Sequence, residues 1–170
     1  MTLAAILASA AGGLACLAAL PYALPGTAVI EREALIDAEP AAIYALLDGA
    51  AGFQRINPWR DADPELEITL SGPERGVGSA FAFKGAEGTG AQTVVAVDPG
   101  REVVTEIDLG PLGKPVQTFT IAPVGKGARV VWRTEAAFGL NPIGRVIGLF
   151  MDGRLGPVYE RGLKNIAGAV

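Results

Sequence analysis

Asn141 to Val170, NPIGRVIGLFMDGRLGPVYERGLKNIAGAV, stands at the C-terminal end of the sequence and decides what the rest must build. Ile143, Val146 and Ile147, Phe150 and Met151, Leu155, Val158 and Tyr159, Leu163 and Ile166 recur three and four residues apart. That spacing places them on one face of an amphipathic helix. Asn141 suits the N-cap, and Pro142 suits the first helical position, where a missing N–H costs nothing. Gly153, Gly156 and Pro157 interrupt the middle. Pro157 cannot donate to the carbonyl four residues back, which predicts a kink or two abutting helices. A helix this long needs a broad surface to lie on, and a curved antiparallel sheet is the obvious one.

The upstream chain supplies strands. Ala28 to Asp37 alternates in part, and Pro40 opens a short helix over Ala41 to Leu47, followed by a second over Ala50 to Ile56. Leu66, Ile68 and Leu70 alternate with acidic and hydroxyl residues, and Val77, Ser79, Phe81 and Phe83 share a face of the next strand. Gly85 to Gly90 reads as a loop. Gln92 to Val97 and Glu102 to Leu109 flank Asp98-Pro99-Gly100, a turn in which proline presets φ and glycine accepts a positive one. Val116 to Ala122 and Ala128 to Ala136 flank Gly125-Lys126-Gly127, a second hairpin. Seven strands close in sequence predict an α+β domain with an antiparallel sheet, one face of it covered by the long helix.

The 170 residues allow one domain with a real core. The net charge of −4 argues against nucleic acid as a partner, because phosphate binding needs a basic footprint. With no histidine, the chain lacks the commonest general base and the commonest metal ligand. The single cysteine, Cys16, excludes an internal disulfide.

Leu3 to Leu24 carries no charge, and the first charged residue is Glu31. As a helix, Leu3 to Leu20 would span about 27 Å, close to the roughly 30 Å hydrocarbon core of a bilayer. A cleaved signal peptide usually opens with Lys or Arg, which is missing here. A lipoprotein site at Cys16 would follow the poorly matching Gly13-Leu14-Ala15. An ordinary buried helix is a third alternative. A single transmembrane anchor over residues 1–25, ahead of a domain over 26–170, fits best and implies a single-pass membrane protein. Its orientation is open, since Arg32 is the only basic residue near either end. Ala5, Ser9 and Gly13 form one small-residue stripe and Ala8, Gly12 and Cys16 the adjacent one, a spacing that lets a partner helix approach closely in lipid. Alanine-rich helices produce such stripes by chance as well.

Particular residues add to this order. Ile36-Asp37-Ala38 with Pro40, Asn57-Pro58-Trp59, Gly76-Val77-Gly78, Val97-Asp98-Pro99-Gly100-Arg101, Arg129-Val130-Val131-Trp132 and Tyr159 to Asn165 carry a resemblance over Val29 to about Ala167. The chain resembles the START-like (SRPBCC) superfamily with its helix-grip fold, and within it the polyketide cyclase/dehydrase-like subgroup. The resemblance implies a curved sheet of about seven strands gripping the C-terminal helix. It also implies a hydrophobic ligand, such as a lipid, sterol, quinone or polyketide, held between them.

Phe53, Trp59, Phe81, Phe83, Phe119, Trp132, Phe138 and Phe150 are expected to face the helix, and Phe150 and Leu155 to close over the others. These residues line either a cavity or a filled core, since the two share a composition. Of the acids, Glu102, Glu106 and Asp108 share a strand face with Val104 and read as solvated; Asp37, Asp48, Glu87 and Glu135 show no inward cluster either. Ser71 and Ser79 have no histidine to activate them. No metal-ligand cluster and no cofactor motif is visible, and Gly72 to Gly78 and Gly85 to Gly90 lack the Lys-Ser/Thr of a phosphate loop. Three functions follow in order of preference. They are a membrane-tethered domain that binds or hands over a hydrophobic small molecule, an accessory subunit held to another transmembrane subunit through its anchor, and, by family analogy alone, a cyclase or aromatase.

Overall fold

The computed structural model describes residues 20–170. The expected membrane helix, with Ala5, Ser9, Gly12, Gly13 and Cys16, falls in residues 1–19, outside the described residues. Leu20–Ala23 form a single 3-10 turn, so the last part of the expected anchor belongs to the globular body. Among the described residues no helix is long and apolar enough to cross a membrane.

The elements run β1 (Thr27–Ile36), α1 (Pro40–Leu47), α2 (Ala50–Ile56), β2 (Glu67–Ser71), β3 (Ala80–Gly85), β4 (Gly88–Asp98), β5 (Glu102–Asp108), β6 (Val116–Val124), β7 (Gly127–Ala137) and α3 (Pro142–Ala169). The seven strands form one sheet in the order β1-β7-β6-β5-β4-β3-β2. Every neighbouring pair is antiparallel. This is the antiparallel sheet and long helix that the periodicities predict, in the helix-grip arrangement that the resemblance implies. The sequence placed a loop over Gly85 to Gly90, yet β3 and β4 meet in a tight hairpin with Gly85 opposite Gly88. Val77, expected on a strand, is an exposed loop residue.

Alternation creates the inner face. In β7, Ala128, Val130, Trp132, Thr134 and Ala136 are buried while Arg129 and Glu135 face water. Such a period of two orients one set of side chains toward the helix and the other away. The register places two kinds of sheet end. At the lower end lie α1, α2 and the β4–β5 and β6–β7 turns, with Gly100 (φ 77°) and Gly125 (φ 61°) in the left-handed region that glycine tolerates. At the upper end lie the entry to β1, the exit of β7, the β3–β4 hairpin, the β5–β6 connection and the start of α3.

α3 runs unbroken through Pro157, so two abutting helices do not occur there. Asn141 caps it as expected, its Oδ1 accepting from the backbone N–H of Ile143 and Gly144 at 3.1 Å each. Its two halves differ. The second half carries the buried Tyr159, Leu163 and Ile166, and Gly162 brings the helix backbone directly onto the ring of Trp132. Asn165 donates to the Ile56 carbonyl at 3.2 Å and Arg55 to the Ala169 carbonyl at 3.0 Å, fastening this half to α2. The first half turns small residues inward: Gly144 and Gly148 lie over Phe138. Apart from Met151 and Leu155, its bulky apolar residues point outward, and Phe150, expected to face the sheet, is 70% exposed. The periodic face of the sequence therefore divides into a buried stripe and an exposed one.

Between the halves sits Arg32 of β1. It donates to Asp152 at 2.8 and 3.1 Å and to Glu160 at 3.0 Å, lying over Gly156, where a side chain would collide with it. The Arg32 guanidinium holds the Asp152 carboxyl below its usual range by this hydrogen bond.

Two contrasts test this packing. Gly162→Ala should lower stability by about 1–3 kcal/mol, because the new methyl overpacks against Trp132. Gly153→Ala, with nothing within 4 Å of the added carbon, should raise it by about 0.5–1 kcal/mol through helix propensity. Likewise Phe119→Ala should cost about 3–5 kcal/mol, and Phe150→Ala no more than about 0.5 kcal/mol. Chemical denaturation of the four variants reads all of these; equal losses at Phe119 and Phe150 would contradict the assignment of the two faces.

Candidate functional site

The concave face changes character from bottom to top. At the bottom, Ile43, Leu46 and Leu47 of α1 close over Val103, Ile121 and Val130. In the middle, the aromatic residues singled out in the sequence come together. Trp132 stacks on Tyr159 at 4.6 Å between centroids and 9° between planes, and lies 4.7 Å from Phe119. Phe53 stacks on Phe81 at 5.7 Å and meets Trp132 edge-on at 6.1 Å. Trp59 approaches both Trp132 and Tyr159 edge-on. Such pairs add about 0.5–1.5 kcal/mol each beyond the area they bury. Phe119 and Trp132 are wholly buried. These rings fill the middle of the grip with themselves. The gap left beside Ala50, Phe53, Phe81, Gln92 and Thr105 has a volume of about 10 Å³, space for one water.

The other expected site residues are distributed differently. Phe83 continues the cluster upward from Phe81 at 6.3 Å, and Leu155 packs at its margin. Phe138 lies under the first turns of α3, against Gly144 and Gly148. Phe150 takes no part.

Above the aromatic layer the inner face becomes polar. Thr105, Gln117 and Thr134 stand directly opposite one another on β5, β6 and β7, and all three are buried. Gln117 Nε2 donates to Thr105 Oγ1 at 3.4 Å, while the Tyr159 hydroxyl donates to Thr134 Oγ1 at 2.8 Å. Gln92, also buried, lies one step higher on β4, opposite Ile107. Gln117 Oε1 is buried and has no hydrogen-bond partner among the described residues. A buried acceptor left unpaired costs about 1–3 kcal/mol, so its retention asks for a reason. Higher still, Phe83, Ile107, Met151 and Leu155 are only partly buried. The β3–β4 hairpin curls over this region until Glu87 pairs with Arg154 of α3.

This polar row was absent from the sequence-level site. The signal existed in the alternation itself: Thr105 stands two residues after Val103, Gln117 two before Phe119, and Thr134 two after Trp132. Each therefore falls on the face of its apolar neighbour. The acids behave as the alternation says: Glu106 and Asp108 lie on the outer face, where both pair with Lys114.

Buried ionisable side chains among the described residues are Asp48 and Tyr159. Asp48 accepts from Arg75 at 2.8 Å at the lower end, away from the polar row. Burial pushes the Tyr159 phenol above its ordinary range, against a smaller opposing effect of its bond to Thr134. The phenol is thus a proton-bearing donor at neutral pH. No group of three or more potential metal ligands occurs among the described residues.

Residues 27–170 match the family described as "Polyketide cyclase / dehydrase and lipid transport", and the chain belongs to that family. Among curated proteins none matches it. Solved structures share its fold. The KanY protein solution structure is 22% identical, with 85% of this chain and 97% of that one aligned at a TM-score of 0.64. Norcoclaurine synthase from Thalictrum flavum, in complex with dopamine and hydroxybenzaldehyde, is 18% identical over 85% of this chain and 88% of that one, at 0.62. The di-domain ARO/CYC StfQ of the steffimycin biosynthetic pathway is 13% identical, covering 84% of this chain and half of that one, also at 0.62.

The Tyr159 phenol yields a test. Its native form keeps the proton to higher pH than the unfolded form, so its contribution is complete below about pH 10 and declines as pH rises through the native value. Tyr159→Phe should cost about 1 kcal/mol at neutral pH by losing the bond to Thr134. It should also flatten the alkaline loss of stability, the remainder belonging partly to Tyr44, whose phenol burial also raises. Denaturant midpoints across the alkaline range measure this. An undiminished alkaline slope in the variant would assign the loss to other groups.

Proposed function

We propose that this protein is a membrane-tethered domain that binds and hands over a hydrophobic small molecule carrying one hydrogen-bond donor. The molecule is of the lipid, quinone or polyketide-like kind. The observation that carries this reading is the unpaired, buried Gln117 Oε1 in the row Thr105–Gln117–Thr134. The row stands where the self-filled aromatic layer ends and the partly covered apolar surface of Phe83, Ile107, Met151 and Leu155 begins. A mostly apolar site with a few placed polar groups suits such a ligand, its tail in the apolar upper part and its donor on the glutamine. Trp132, Phe119, Phe53 and Trp59 then act as a rigid floor below the ligand, while Phe81, Phe83 and Leu155 stand at its sides. Family membership supports the ligand class, and a similar fold in norcoclaurine synthase accommodates aromatic molecules. The tether is the uncharged stretch within residues 1–25, which would keep the domain beside a reservoir of lipophilic ligand.

Binding of 1-aminoanthracene, an apolar fluorophore with an amine donor, to the purified full chain tests the reading. Gln117→Leu should weaken it about three- to tenfold, the value of one neutral hydrogen bond. Leu155→Trp should abolish it by occupying the apolar side of the site. Mass spectrometry of an organic extract from gently purified protein should show a co-purifying lipophile. No fluorophore binding, or binding that Leu155→Trp leaves unchanged, would refute the site.

A further inference from the structure

We propose that the upper end of the molecule, led by the exposed face of α3, rests on the surface of a lipid bilayer. Ile143, Ile147 and Phe150 form an i, i+4, i+7 stripe along the first half of α3, and Ile143 and Phe150 are each 70% exposed. Leu140 in the loop before the helix, Leu20 and, across the sheet, Leu112 in the β5–β6 connection are exposed too, and every one lies at this end. The helix is inverted here: its glycines face the protein and its large apolar side chains face out. Packing does not demand this, since small residues suffice over Phe138. An apolar helical stripe of this kind sits comfortably about 5–10 Å into the boundary between headgroups and acyl chains.

One observation favours a bilayer over a protein partner, and a second sets the kind of lipid. The uncharged, apolar residues 1–19 join the described chain at Leu20, and the Leu20–Ala23 turn is held against α3. Arg145 does the holding, donating to the carbonyls of Tyr22, Leu24 and Gly139 at 2.7–2.9 Å. The described chain thereby begins, at Leu20, at the same end as the exposed stripe. Second, Arg145 is the only charged residue between Gly139 and Met151, and its guanidinium is engaged by those carbonyls. Lys114 and Arg154, also at this end, pair with Glu106, Asp108 and Glu87. With no surplus of basic charge, attraction rests on apolar area, so zwitterionic lipid suffices and salt has little effect. The part of the ligand site left partly exposed, between α3 and the β3–β4 hairpin, would then open beside the membrane rather than into bulk water. This placement deepens the tether of the proposed function and needs no ligand for its test.

The test uses the full chain with Cys16→Ser and a nitrobenzoxadiazole dye on Phe150→Cys or, as a control at the lower end, on Leu35→Cys, a residue 73% exposed. The protein is reconstituted with phosphatidylcholine vesicles, with and without doxyl-labelled lipid, and flotation reports attachment. Dye at position 150 should shift to the blue and lose roughly half or more of its emission to doxyl lipid, the depth expected of a shallow interfacial helix, with little change in high salt. Dye at position 35 should stay in water and unquenched. A chain that floats with an unquenched, unshifted dye at 150 would overturn the docking face and leave the tether standing. A blue-shifted dye without quenching would mean that a protein surface, from this chain or a second copy, covers the stripe, which also overturns it. A chain that fails to float would overturn docking and tether together, while fluorophore binding in solution would still stand or fall by itself.

Discussion

The contact of Gly162 with Trp132 sets how the helix and sheet meet. A side chain at position 162 would occupy the space of the indole ring, so the helix can approach only because none is there. That approach lets Tyr159, one turn earlier on the helix, lie flat on Trp132, and it presses Trp132 against Phe119 and Phe53. Once these rings are in contact, the gap left beside them holds no more than about one water.

Above the rings, the contact geometry diverges. Helix α3 is continuous through Pro157, and its second half is fixed by Asn165, Arg55 and the aromatic stack. Its first half must therefore follow the line set below, and there it meets Phe138 through glycines. Arg32 reinforces the line by reaching Asp152 and Glu160, two turns apart on the helix, from a single strand position. Exposed ion pairs contribute little energy individually, about 0–1 kcal/mol. Their value here is positional, since a guanidinium bonded to both carboxylates resists sliding of the helix along β1.

The polar row has the same origin. Thr105, Gln117 and Thr134 are paired by register, and Tyr159 is brought to Thr134 by the Gly162 contact. The Tyr159 and Thr134 hydroxyls satisfy each other, whereas Gln117 satisfies only its amide N–H group. The one acceptor left over thus follows from packing that uses the neighbouring groups first. A fold does not fix a function, so what this grip does is argued from such a group and not from the grip itself.

Much of this was legible in the sequence. The spacing within Asn141 to Val170, the turns at Asp98 to Gly100 and Gly125 to Gly127, and period-two alternation determined one antiparallel sheet against one long helix. Local chemistry suffices for these, because helix and strand periodicities and turn residues act over a few positions. The inward direction of Phe81, Phe119 and Trp132 was legible for the same reason. The role of Phe150 was hidden by chaining short steps: i, i+3 and i+4 contacts lead from it to Tyr159, yet at about 100° per residue the nine-residue separation puts the two on opposite sides of the helix. Nor could the sequence choose between a filled and an open interior, since the same side chains line both. Only the tertiary structure decided that, through the distance at which Gly162 lets the helix rest on Trp132 and the register that aligns Gln117 between two threonines.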